Sequence, residues 1–355
     1  MKRIKSFFHL GIIAALMIMT SLGTLYGASV IMQPEGFSQD QQENAQVKNF
    51  TGNPFTFTPE KLKDKNDDGM ALESETGARP LRIQRYKSLA KGSVNIFILN
   101  TGDIHESSKR TGAISQYVNN MRSLHPGRVV LLDAGDMLTH FNRVSPESDW
   151  QGHHDWMFGW ADSMQYDAMV FGNHDFVASV STTQQLMGTY HLPYICANLQ
   201  HPDLNVPSYK IISRNITLSD GSSITVKIGI IGLADQDHVD YHHPNTADKD
   251  SLTVHPVYNN TIKALMNTVG ANADFIVLLS HNLDAVDRDS VAALPGGKTH
   301  VIVGGHSHRV LAEKPNGRSL IKSGAYGHYI GSTMVEWNPN TRAVDKVIPR
   351  NFTMN

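Results

Sequence analysis

The chain has 355 residues, 40% of them hydrophobic and 18% charged, enough for one large α/β domain or two small ones with a buried core. A formal net charge of −2 excludes classes that bind nucleic-acid polymers or anionic membranes through bulk positive charge. The single cysteine, Cys196, excludes an intramolecular disulfide, while 18 histidines stand out because imidazole is the commonest side-chain ligand of transition metals at neutral pH.

In chain order, Lys2, Arg3 and Lys5 precede an apolar run from Leu10 to Leu22, and small residues follow from Gly23 to Ser29. That order predicts a signal peptide over residues 1–28 and export to a periplasmic or extracellular space, with an uncleaved signal anchor as the alternative. The run is short for a bilayer span, and no membrane partner is expected beyond export. Residues 29–93 are rich in Gln, Asn, Lys, Asp and Glu, contain Pro34, Pro54, Pro59 and Pro80, and read as an extended lead-in without apolar period. Within it Asp64, Asn66, Asp68 and Glu75, with Gly69, match the oxygen-ligand positions of a calcium loop. Ala71 and the breaks at Pro59, Gly77 and Pro80 weigh against calcium there, and a polar turn is the plainer reading.

Beyond the lead-in, β-branched runs alternate with segments of helical period, the pattern of an α/β domain over residues 94–340. Strands are predicted at Val94–Asn100, Arg128–Ala134, Ala168–Gly172, Tyr194–Leu199, Val226–Gly232, Phe275–Ser280, Val301–Gly305, Leu320–Ser323 and Thr333–Trp337. Helical spacing occupies Gly112–Leu124, Trp150–Met164, Thr182–Tyr190 and Val257–Val269. A short polar tail, residues 341–355, is expected to close the chain. In the second helix, Trp150, Trp156 and Trp160 read as a packed face, and His153 and His154 as candidate substrate contacts.

The chemistry lies where the strands end. One runs into Thr101-Gly102-Asp103-Ile104-His105, the next into Asp133-Ala134-Gly135-Asp136, and the third into Gly172-Asn173-His174-Asp175. Two more end in His281-Asn282 and Gly304-Gly305-His306-Ser307-His308. In α/β folds, strand ends are where active sites form. A binuclear site needs a carboxylate able to bridge two cations about 3.5–4 Å apart, imidazoles to complete each shell, and open positions for water and substrate. Spacing by two in Asp103/His105 and His306/His308 would put both side chains on one face of extended backbone. Neighbouring glycines allow close approach. Each motif alone has a bland reading as a turn or a surface histidine; five in one chain do not.

Asp103-Ile104-His105, Gly135-Asp136, Gly172-Asn173-His174-Asp175, Ser280-His281 and Gly305-His306-Ser307-His308 together resemble the ordered signature of the calcineurin-like metallophosphoesterases. Within them the chain is similar to the metallophosphatase domain of bacterial-type 5′-nucleotidases, with further matches at Tyr166–Met169, Leu192–Asn198 and Gly324–Gly327. The resemblance implies a four-layer α/β/β/α sandwich and a metal-dependent phosphoric ester hydrolase. It places Asp103, His105, Asp136 and His308 around one divalent ion, and Asp136, Asn173, His281 and His306 around the other, with Asp136 as the bridge. The ions would be Zn, Mn or Fe. His174, following the ligand Asn173, would stand over the phosphate and its leaving oxygen rather than bind metal.

Two departures from the family pattern matter. Nucleotidases carry an aspartate three residues after this histidine; here Val177 stands there, and Asp175 is the candidate replacement. They also continue into a second domain that holds the nucleoside, whereas this chain stops at Asn355, so nucleotide specificity is not carried over. The reading is an exported two-metal hydrolase of phosphate monoesters, nucleotides among them, in which a metal-bound hydroxide attacks a small phosphate-ester substrate. Diester hydrolysis of cyclic or sugar-linked nucleotides, or metal binding without catalysis on the same fold, are the alternatives; oligomeric state is not legible.

Overall fold

The computed structural model describes residues 92–138, 150–176, 179–218, 220–236 and 252–354, and the backbone of two short strands, Lys61–Asp64 (β1) and Met70–Glu73 (β2). β1 and β2 pair antiparallel with Asp64 opposite Met70. Asn66, Asp68 and Glu75 of the candidate calcium loop lie outside the described residues, as do the signal-peptide segment and most of the lead-in.

The main body is built on two mixed sheets and a small antiparallel pair, Leu199–Gln200 (β6) with Thr253–Val254 (β9). One mixed sheet has five strands in the order β15-β14-β3-β4-β5: Ala343–Thr353, Tyr329–Asn338, Val94–Thr101, Val129–Asp133 and Ala168–Met169. The other has six, β12-β13-β11-β10-β8-β7: Val310–Glu313, Ser319–Ser323, Thr299–Gly304, Phe275–Ser280, Ser223–Leu233 and Tyr209–Thr217. β3, β4 and β5 run parallel, as do β8, β10, β11 and β13. Antiparallel partners close the edges, with β14 and β15 on one sheet and β7 and β12 on the other. Parallel strands covered on both faces need apolar side chains pointing both ways, which is why Phe275 to Leu279 is an unbroken apolar run and every residue of Phe275–Ser280 is buried.

The alternation inside that run builds the layers. Phe275, Val277 and Leu279 join a large cluster with Val301 and Val303 of β11, Ile228 and Ile230 of β8, and Ile96, Ile98 and Leu131 of the other sheet. The intervening Ile276 and Leu278 join Ile302, Ile231 and Leu233 against Ile262, Met266 and Val269 of a helix at Asn260–Asn272. Helices at Thr111–Leu124 (α1) and Trp150–Met164 (α2) cover the five-stranded sheet through Ile114, Val118, Met157, Phe158 and Ala161. Val180–Thr189 (α3) follows, capped by the Ser179 hydroxyl, which accepts from the Thr182 amide at 2.9 Å. Asn259 caps the fourth helix (α4) the same way, accepting from the Ile262 amide at 2.9 Å. Four layers result: helices, sheet, sheet, helix.

Two sequence expectations change. The segment Tyr194–Leu199 is not one strand. Its amides go to different partners, Ile195 to the Met169 carbonyl, Cys196 to Pro207 and Ala197 to Gly232, because it crosses from one sheet to the other. The polar tail over 341–355 is also corrected: residues Ala343–Thr353 form β15, paired along the whole of β14. Asp345 and Lys346 are exposed, while Val344, Val347, Ile348 and Phe352 are partly buried on the core and Asn351 is buried, so an edge strand with polar residues on both faces reads as polar in sequence. Removing residues 341–355 strips these four half-buried apolar side chains and the buried Met354, where a fully buried side chain is worth about 1.5–3 kcal/mol, from a fold whose net stability is roughly 5–15 kcal/mol. Such a truncated chain is expected to lose its cooperative thermal transition in circular dichroism; a cooperative melt close to that of the full chain would contradict the assignment of β15 to the core sheet.

Candidate metal centre

The strand ends converge as the motifs suggest, but not on extended backbone. Asp103, His105, Asp136, His306 and His308 all have positive φ, at 53°, 49°, 55°, 75° and 56°. Left-handed backbone at non-glycine residues costs about 1–3 kcal/mol each and persists only where the surroundings enforce it. Here the loops after β3 and β4 enforce it on each other. Asp103 donates its amide to the Gly135 carbonyl at 2.8 Å, His105 to Asp136 at 3.0 Å, and Ala134 to Thr101 at 2.9 Å. The spacing of two therefore works differently in the two doublets: Asp103 and His105 reach one group on left-handed rather than extended backbone. His306 and His308 serve different groups.

One group gathers Asp103, His105 and His308, the other Asp136, His281 and His306, with the candidate ligand atoms of each group within 4.8 Å of one another. In the first, His105 Nε2 is 2.8 Å from His308 Nε2, which lies 3.7 Å from Asp103 Oδ1. In the second, His306 Nδ1 lies 3.2 Å from His281 Nε2, and the Asn173 Oδ1 sits 3.0 Å and 3.3 Å from those two nitrogens. Nitrogens bound at roughly 2.1 Å to one cation end up about 3 Å apart, so these separations suit shared ions. Asp136, a member of the second group, also faces the first: its Oδ2 is 3.2 Å from His281 Nε2 and 3.9 Å from His105 Nε2. His174 Nε2 is also 3.9 Å from that oxygen, and the His174 amide donates to Oδ1 at 2.8 Å.

Glycine makes this approach sterically possible. A Cβ on Gly172 would lie 2.0 Å from Asp136 Oδ1, and one on Gly135 2.6 Å from the Gly172 nitrogen.

Outer contacts fix the rings. His105 Nδ1 is 3.0 Å from the Leu138 carbonyl and His281 Nδ1 2.7 Å from that of Ala134. A carbonyl only accepts, so in both rings Nδ1 carries hydrogen and Nε2 faces inward. His306 is turned the other way, with Nδ1 inward and Nε2 3.5 Å from Asp235 Oδ2. Carboxylate or carbonyl behind each imidazole is the arrangement that orients histidine ligands.

Charge supports a cation in the same place. Asp103, Asp133, Asp136, Asp175 and Asp235 are all buried, and Lys322 is the only buried lysine or arginine among the described residues. Such a concentration of carboxylate needs positive charge beside it. Burial lifts Asp103 to about 8, His281 opposing and Asp136 adding to the shift. Burial works against Asp136 too, but His281, His105 and His174 around it hold its carboxyl well below the usual range. Burial likewise disfavours charge on His281, yet Asp136 and then Asp103 push it up to about 10. A divalent ion in the second group would replace that imidazolium proton.

Asp175 does not take the place of the missing aspartate beside His174. Its Oδ2 accepts from the amides of Gly172 and Asp136 at 2.8 Å and 3.1 Å, its Oδ1 from Leu138 at 3.2 Å, so it ties two motif loops together. Burial, with Asp136 adding, raises it to about 7. Val177 lies outside the described residues, as do the side chains of His153 and His154; Trp156 and Trp160 pack on the core as a helix face. Sequence reasoning missed Asp235. It follows the apolar run of β8 just as the other motifs follow their strands, but a lone carboxylate without glycine or histidine beside it gave little signal.

The calcineurin-like phosphoesterase family model matches residues 98–310. A snake venom 5′-nucleotidase of Crotalus adamanteus is 25% identical over 267 residues, covering 69% of this chain and 42% of that protein. The silent protein UshA(0) of Salmonella typhimurium is 25% identical over 301 residues, covering 72% of this chain and 52% of its own length. The chain thus spans about half the length of the curated relatives it matches. Among solved structures, the calcineurin-like phosphoesterase YfkN from Bacillus subtilis has the same fold, with a TM-score of 0.61 at 18% identity, covering 74% of this chain and 91% of that one. With the match running from inside β3 to the first residue of β12, across every strand end that carries the candidate ligands, the chain belongs to the calcineurin-like phosphoesterases.

Proposed function

We propose that the chain is an exported phosphoric monoester hydrolase working with two divalent ions, one among Asp103, His105, Asp136 and His308 and the other among Asp136, Asn173, His281 and His306. The observation that carries the reading is the position of Asp136, whose carboxylate reaches both histidine groups at once. Mixed nitrogen and oxygen donors suit Zn, Mn or Fe. Ions held there would neutralise charge on the phosphoryl oxygens and make a water nucleophilic at neutral pH. The names of the relatives put nucleoside monophosphates among the first substrates to test. Export is supported by the basic, apolar and small-residue order of residues 1–28.

The protein's own groups divide the remaining work. Asp136 holds negative charge between the two groups. Asn173 contributes an oxygen that stays neutral at every working pH. The His308 side chain is 41% exposed, so the first group is the one open to solvent and the direction from which an ester would enter. His174, buried and facing Asp136, is placed to donate a proton to the phosphoryl or leaving oxygen.

Purified protein should retain two equivalents of metal and turn over an aryl phosphate; chains that carry metal but hydrolyse no ester with added Mn²⁺ or Zn²⁺ would favour a binding protein. Asp136→Ala should lose metal and, through metal-coupled folding energy, thermal stability. His174→Ala should keep both ions and lose roughly 10²- to 10⁴-fold in turnover on an alkyl phosphate, with a smaller loss on an aryl phosphate whose leaving group needs less protonation. If His174→Ala sheds metal like Asp136→Ala, it is a ligand and the division of roles is wrong.

A separate outcome concerns the loop tie. Asp175→Ala leaves three buried amides without their acceptor, at about 1–3 kcal/mol each, so urea unfolding should shift by several kcal/mol. Amide exchange should quicken at Gly172, Asp136 and Leu138; unchanged protection at all three would refute the tie.

A further inference from the structure

Behind the second ligand group lies a polar network that the proposed chemistry does not use. Lys322, on β13, is 1% exposed, and its ammonium lies within hydrogen-bond reach of four oxygens. It donates to the carbonyls of Asn282 at 2.7 Å and Gly305 at 2.9 Å, and pairs with Asp284 Oδ1 at 2.9 Å and Asp287 Oδ2 at 2.8 Å. Asn282 directly follows His281, and Gly305 directly precedes His306. One ammonium therefore grips the backbone beside both histidines of the second group.

The network extends to the third strand end. Asp287 also accepts from the Ser280 hydroxyl at 2.7 Å, on the residue before His281. The Asn282 amide donates to Ser280 Oγ at 3.0 Å and to the Ala234 carbonyl at 3.2 Å, beside Asp235, which stands behind His306. The ends of β8, β10 and β11 are thereby joined through β13. Gly304 leaves the room: a Cβ there would lie 2.7 Å from Lys322 Cε and 3.0 Å from Asp287 Oδ2.

We propose that Lys322, anchored by Asp284 and Asp287, is a positioning residue that sets the second cation group by holding the backbone of His281 and His306 at one fixed separation. The proposal rests on the two-ion reading of the site. Lysine suits the role because its three donors can satisfy two carbonyls and a carboxylate around one point charge. The first group has no such grip from Lys322; it is held by the zipped loops of β3 and β4. Loss of Lys322 should therefore separate the two ions in affinity.

Metal-loaded protein dialysed against graded chelator, with metal per chain measured afterwards, tests this without reference to turnover. Lys322→Met leaves two buried carboxylates facing one another and can fail to fold, so the charge-balanced Lys322→Met/Asp287→Asn is the main variant. It should release one equivalent at roughly 10- to 100-fold weaker chelation than wild type while holding the other unchanged. Adding His105→Ala to it should remove the retained ion, whereas adding His281→Ala should not. Asp287→Asn alone, which keeps the lysine but loosens its anchor, should give a smaller shift of the same equivalent. Val118→Ala, a core change remote from the network, is the control for lost stability and should release both ions together. Wild-type retention of both equivalents in the Lys322 and Asp287 variants, or release of both in step as in the control, overturns the proposal. A wild-type protein that never holds two equivalents instead overturns the two-ion reading on which it rests.

Discussion

Asp136 has to stand within reach of His105, His174 and His281 at the same time, and that requirement propagates outward through the molecule. No single sheet can meet it. Asp103, His105, Asp136 and Asn173 come from the ends of β3, β4 and β5, while His281, His306 and His308 come from the ends of β10 and β11 on the other sheet. Each ligand group draws on both sheets. The site therefore exists only when the two sheets are packed face to face, and the apolar cluster shared by Ile96, Ile98, Val277 and Val301 acts as a spacer that determines ligand geometry as well as a source of stability.

The backbone at the site is unfavourable on its own. Five candidate ligands occupy left-handed conformations, and each such residue opposes folding by about 1–3 kcal/mol. The opposing terms are local and identifiable. Amides of Asp103 and His105 find carbonyls in the facing loop, and Asp175 gathers three amides that would otherwise be buried without acceptors. Tyr326, itself left-handed, donates its amide to the Asp103 carbonyl at 2.7 Å, bringing the loop before β14 into the same arrangement. Motif loops at the other strand ends lean on Lys322 instead. Strain concentrated at ligands and relieved just behind them belongs to a site built for geometry rather than for stability.

How much of this could be read in the sequence follows from where the information is stored. The strands Val94–Thr101 and Phe275–Ser280 were legible because burial on both faces forces apolar runs at their centres, Ile96 to Leu99 and Phe275 to Leu279. The seven candidate ligands were legible because their residue types are rare in combination at strand ends, and the structure brings all seven together. What stayed hidden was one-sided or cooperative. β15 hides because an edge strand alternates polar residues with half-buried ones, and the Tyr194–Leu199 segment looks like a strand because it is buried, although its hydrogen bonds go to three different places. Asp235 and Lys322 carry no motif at all. A lysine inside an apolar strand reads as an exposed edge residue until the fold places Asp284 and Asp287 against it.

Charge links these levels. Among the described residues the buried carboxylates around the site outnumber the one buried lysine, and that lysine is already engaged by two other aspartates. Within the protein alone, the remaining negative charge is balanced by protons, held on Asp103 by burial with Asp136 adding, and on His281 by Asp136 and Asp103 against the opposing effect of burial. A cation bound there would do the same balancing with more charge and in a fixed place, so each ion taken up would displace protons and relieve the same carboxylates. The strained loops, the sheet packing and the ion pair behind the second group then depend on one another. Geometry without the ions leaves charge to be neutralised by protonation, and ions without the geometry find their ligands scattered over five strand ends.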